Sequence, residues 1–73
     1  MIKDIFNKYK MIIKDNYINI MNYKRIIDID HNRIEILLDK NRVIICGNDL
    51  LVTGIDEYEI LIKGIIKGID FIE

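Results

Sequence analysis

At 73 residues the chain has room for one folded domain; a single cysteine, Cys46, excludes an internal disulfide, and a single histidine, His31, argues against a zinc site. The formal charge of −1 opposes general nucleic-acid binding, which works by releasing counterions with clustered Lys and Arg. A core this small leaves a narrow margin of stability, so self-association is the supplement expected here.

The first predicted element is an N-terminal amphipathic helix. Ile2, Ile5, Phe6, Tyr9, Ile12 and Ile13 recur at spacings of three and four, which places them on one stripe of an α-helix over about residues 2 to 14. Asp15 and Asn16 interrupt the pattern, so residues 1–16 are read as a helical segment and residues 17–73 as a β domain. Lys3, Lys8, Lys10 and Lys14 against Asp4 give the first fourteen residues a charge of +3, leaving −4 for the rest. An apolar stripe beside these four lysines suits packing against the sheet or a neighbouring subunit. It also suits contact with a membrane or a membrane protein.

From Tyr17 onward the period changes to two. The apolar runs are 17–21, 25–30, 33–38, 42–46, 50–53, 58–63 and 65–71. They are separated by Asp30-His31-Asn32, Asp39-Lys40-Asn41, Gly47-Asn48-Asp49 and Gly54-Ile55-Asp56-Glu57, residues that suit tight turns. The fold class expected is mainly β, a small antiparallel β-meander closing into a sandwich or barrel-like sheet. Alternation assigns to the core Ile27, Ile29, Ile34, Ile36, Leu38, Val43, Ile45, Leu50, Val52, Ile60, Ile62 and Ile66. The spacing of three from Ile66 to Ile69, with Gly68 between, predicts a β-bulge that returns Ile69 and Phe71 to the core. The opposite face is interrupted by Ile26, Leu37, Ile44, Leu51, Leu61 and Ile65. The helix, a second subunit or the other half of a folded sheet is expected to cover that band, in that order of preference.

Two stretches carry a family resemblance. Ile45-Cys46-Gly47-Asn48-Asp49-Leu50 has a strand, a glycine turn and a further apolar strand. Residues 60–71 follow Ile-x-Ile-x-Gly-x-Ile-x-x-Ile-x-Phe, the more specific pattern. With Ile20-Met21-Asn22 upstream, where Met21 stands in place of a usual Glu, the segment Ile18 to Glu73 resembles the YabP/YqfC family of bacterial sporulation proteins. The resemblance implies a structural or interaction protein required for endospore formation, placed in the mother-cell cytoplasm. It further implies a connection to a membrane-protein partner and no enzymatic activity.

The chemistry-bearing residues are few. There is no serine and one threonine, so most nucleophile-and-base arrangements are missing from the inventory. Cys46 reads as a small buried hydrophobe and His31 as a turn residue, rather than as a catalytic pair. Asp28 and Asp30 share one side of a strand, followed by His31, and this alternative would make the chain a metal-dependent regulator or small enzyme. The same alternating Asp also keeps a strand edge soluble. Gly47, Gly64 and Gly68 read as backbone devices in a turn, a strand junction and a bulge, and Gly68→Val is expected to harm folding. No apolar run approaches the roughly 18 residues of a membrane span, so a soluble cytoplasmic protein is expected, without cofactor, nucleic acid or small-molecule substrate.

Overall fold

The Ile-rich runs pair as strands. The computed structural model describes residues 9–73, over which one antiparallel sheet is built from β1 (Lys10–Ile13), β2 (Tyr17–Met21), β3 (Arg25–Ile29), β4 (Arg33–Leu37), β5 (Arg42–Ile55) and β6 (Glu59–Ile72). The strand order is β1-β2-β6-β5-β4-β3. Strands β3 to β6 form the meander, while β2 returns to the far side of β6 and carries β1 with it.

The N-terminal helix is corrected over residues 10–13, which form β1; the part of that expectation lying on residues 2 to 8 falls outside the described residues. Met11 and Ile13 face Ile20 and Ile18 across the β1–β2 ladder. The Asp15-Asn16 pair closes this hairpin, with Lys14 N–H donating to the Tyr17 carbonyl at 2.8 Å. Residues that would stop a helix serve equally well as a two-residue turn. A β-branched Ile-Ile pair beside a partner strand then settles the choice in favour of pleated ribbon.

The turns at Asp30-His31-Asn32 and Asp39-Lys40-Asn41 form as expected, closed by Asp30 N–H to the Arg33 carbonyl and Leu38 N–H to the Asn41 carbonyl. Gly47-Asn48-Asp49 does not turn the chain. It lies within β5, one continuous strand of 14 residues, and its partner β6 also runs 14 residues through Gly64 and Gly68. The ladder slips at Cys46/Gly47, between Asn48 and Leu51, and at Val52/Gly54, while Asp49 takes a φ of 54°. The αL residue absorbs the irregularity as a bulge, so the hairpin bends without ending.

That bend divides the sheet into two halves. β4 pairs with the first part of β5, from Arg42 to Cys46, and β2 pairs with the first part of β6, from Glu59 to Lys63. β2 and β3 stand four strand positions apart, about 19 Å in a flat sheet, yet Met21 and Arg25 are joined by three residues that reach about 14 Å. The sheet therefore curls over its own apolar face. Ile18 and Ile20 from one half and Ile34, Ile36, Leu38, Val43 and Ile45 from the other lie in one fully buried cluster with Ile60 and Ile62. The edge strands β1 and β3 do not pair, so the expected closed barrel or sandwich is instead a single unclosed sheet.

Three expected core residues are exposed: Ile27, Ile29 and Phe71. A bulge between Ile26 and Asp28 makes Ile27 the spare residue, and Ile26 packs on the core in its place. Ile29 sits on the edge strand β3, where nothing among the described strands lies beyond it. Phe71 points to the apolar side opposite Val43, but at a part of β6 that β2 does not reach. The register shift near Gly68 is present, with Cys46 paired to Gly68 and Gly47 to Ile66, leaving Lys67 spare. Ile66 and Ile69 pack against the core.

Candidate interaction surface

With its best apolar face folded inward, the domain presents an outer face and two edges. On the half built from β3, β4 and the start of β5, alternation turns Arg33 and Glu35 outward while Ile34 and Ile36 fill the core. Arg42 lies diagonally across, since Leu37 pairs with Arg42 and Glu35 with Ile44. Arg33 Nη2 donates to Glu35 Oε1 at 3.1 Å and Arg42 Nη1 to Oε2 at 2.6 Å. Both carboxylate oxygens are thereby occupied, and Glu35 is buried although it faces outward. Two guanidinium groups on one carboxylate fix the surface of this half and engage both of its oxygens in charge-assisted hydrogen bonds. Sequence reasoning passed over this cluster. The signal available was Arg33-x-Glu35 on one strand face; the position of Arg42 depends on pairing register.

On the other half, a shallow depression of about 600 Å³ is lined by Ile12, Asn16, Tyr17, Asn19, Glu59, Leu61 and Lys63. Asn19 Nδ2 donates to the Ile60 carbonyl, which holds the side chain flat on the sheet. Ile12, Leu51, Tyr58 and Ile65 are exposed around this half. The apolar band expected on the outer face is thus present in part: Leu51 and Ile65 are exposed, while Leu37, Ile44 and Leu61 are half-buried.

Of the residues singled out as a metal or catalytic alternative, Asp30 and His31 engage each other. Asp30 Oδ1 accepts the His31 backbone N–H at 2.7 Å and lies 2.8 Å from its ring Nδ1. The backbone bond first, then the ring, hold the Asp30 carboxyl below its ordinary value. Asp28 Oδ2 stands 3.8 Å from Arg33. Among the described residues no group of three or more His, Cys, Asp or Glu side chains is placed to hold a metal ion. Cys46 stands across from Arg33 on the neighbouring strand, and the His31 ring is turned to Asp30. Burial, and then the nearby Asp56 charge, raise the Tyr23 phenol, whose hydroxyl donates to the Asp56 carbonyl.

Of the four lysines, Lys10 lies on the edge strand β1 and Lys14 just past it; Lys3 and Lys8 lie outside the described residues. Gly47 and Gly64 sit at the bend. A Cβ on Gly47 would collide with the Ile65 carbonyl oxygen, and Gly64 has a φ of +144°. Gly68 has open space where a Cβ would be, so a methyl side chain there meets no obstacle. No family model, curated protein or solved structure matches the chain. No helix among the described residues is long and apolar enough to cross a membrane.

Proposed function

We propose that the chain is a non-enzymatic interaction protein that acts in endospore formation by associating with itself and with a membrane protein of the sporulation machinery, from the mother-cell cytoplasm. The observation that carries the interaction reading is an unclosed sheet with two edge strands and large apolar side chains left at its margins, among them Ile13, Ile29, Ile55 and Phe71. An unpaired strand edge is a template for another chain, and large exposed apolar groups gain free energy when one covers them. The sporulation reading is supported by the YabP/YqfC-like pattern of residues 60–71.

Deleting the gene in the source cell is expected to lower the yield of heat-resistant spores while vegetative growth continues. Restoring the full chain is expected to recover the yield. A normal spore count in the deletion strain would overturn the sporulation role. The interaction role is tested separately by sedimentation of the purified full chain, which is expected to show concentration-dependent association.

A further inference from the structure

We infer that copies of this chain join head to tail, with β1 of one copy adding to β3 of the next. This rests on the self-association proposed above and specifies its seam. Among the described residues β1 and β3 are the two outer edges of the sheet, each with one side of its backbone unpaired by a neighbouring strand. The two edges differ in charge. β1 carries Lys10, with Lys14 one residue past its end; β3 carries Asp28, with Asp30 one residue past its end and Arg25 at its start. A β1–β1 seam would run lysines of both copies together, and a β3–β3 seam, although it can face Arg25 with Asp28, would leave the β1 edge and its lysines uncovered. Only the mixed seam can set the β1 lysine across from a carboxylate, and opposite charges facing each other stabilise a strand pair while like charges oppose it.

One antiparallel register satisfies the faces as well as the charges. With Lys10 across from Asp28 of a second copy, Tyr9 meets Ile29. Because Ile27 is the spare residue of the β3 bulge, Met11 then meets Ile26, and Ile12 meets the stem of Arg25. Tyr9, Met11 and Ile26 all pack toward the core side, and Ile29 shares that side through its partner Ile34. Lys10 and Ile12 share the outer side with Asn19 and Met21, as Asp28 and Arg25 do with Glu35 and Leu37. The pairing thus sets inner against inner and outer against outer, which a slip of one residue would destroy. Asp28 is free to take this partner: its side chain is 60% exposed and its contact with Arg33 is long, at 3.8 Å. Ile29 and Ile12, exposed in one copy, are covered in the pair. Such a seam always leaves a β1 at one end and a β3 at the other, so association continues as a chain or closes as a ring.

Sedimentation velocity of the full chain over a range of concentrations, at low and high salt, tests this. Species larger than a monomer, as chains or closed rings, are expected, and added salt should reduce them because the seam is charged and near solvent. Lys10→Asp and Asp28→Lys should each weaken association about tenfold, and the K10D/D28K double variant should recover it. Circular dichroism of each variant confirms that the sheet persists. Association unchanged by either reversal, or no recovery in the double variant, would overturn the seam and leave self-association standing. A wild-type chain that stays monomeric at every concentration would overturn both.

Discussion

Gly64 faces the carbonyl of Asp49 across the β5–β6 hairpin so closely that a Cβ would stand 2.7 Å from its oxygen. The two residues lie on opposite strands at the bend, one at φ +144° and the other at φ 54°. Together with Gly47 they let two long strands change direction without breaking their pairing, and the bend is what brings the two apolar half-faces together.

Side chains at the bend are therefore expected to act on folding. Gly64→Ala should lower stability by about 3 kcal/mol, combining an unfavourable φ with a backbone collision. Gly47→Ala should cost at least as much, because the obstacle is the Ile65 carbonyl. Gly68→Ala, in open space, should stay within about 1 kcal/mol of the native chain. Urea unfolding of the three variants checks the ranking, and equal losses at all three would contradict the role given to the bend.

Arg42 makes the shorter of the two contacts to Glu35, whose side chain is 8% exposed. Arg42→Met should destabilise by about 1–2 kcal/mol, less than a deeply buried pair because the guanidinium is itself partly in water. Arg33→Met should cost less, given its longer contact. Glu35→Met should be close to neutral, since it removes the one member of the cluster that is out of solvent and leaves two arginines that water can reach. Thermal unfolding distinguishes these outcomes.

Asp30 is expected to titrate below an ordinary aspartate in the folded chain. Because the folded value is the lower one, the resulting stabilisation is complete above the ordinary carboxyl value. It is lost as the pH falls through the lowered value. His31→Ala should keep part of the depression, since the largest single cause is the backbone N–H rather than the ring. A carboxyl-detected NMR titration reads both, and a midpoint at or above the ordinary value would count against the His31 backbone N–H as its source.

Much of the fold was legible along the chain. Alternation marked Ile34, Ile36, Val43, Ile45, Ile60 and Ile62 as core, and all are fully buried. The Asp30-His31-Asn32 and Asp39-Lys40-Asn41 turns follow from residue types that suit tight turns, and backbone hydrogen bonds close both. The helix expected through residue 14 gave way at Lys10–Ile13 because Met11, Ile12 and Ile13 fit either period, and the partner strand that chose between them lies further along the chain. Phe71 and Ile29 have the right alternation for the core and the wrong place in the sheet. Of the candidate surface, the charges of Lys10 and Asp28 could be read directly, but not that their strands would become the two edges.

Local chemistry in the sequence was enough to determine a chain of apolar strands, most of the polar turns between them and a net charge close to zero. Tertiary structure alone decided which strands became edges, which apolar residues at their margins stayed exposed, and that Gly47-Asn48-Asp49 bends one strand rather than joining two. The physical reason is range: pleat and turn depend on neighbours in sequence, whereas burial and register depend on what another part of the chain places across the gap.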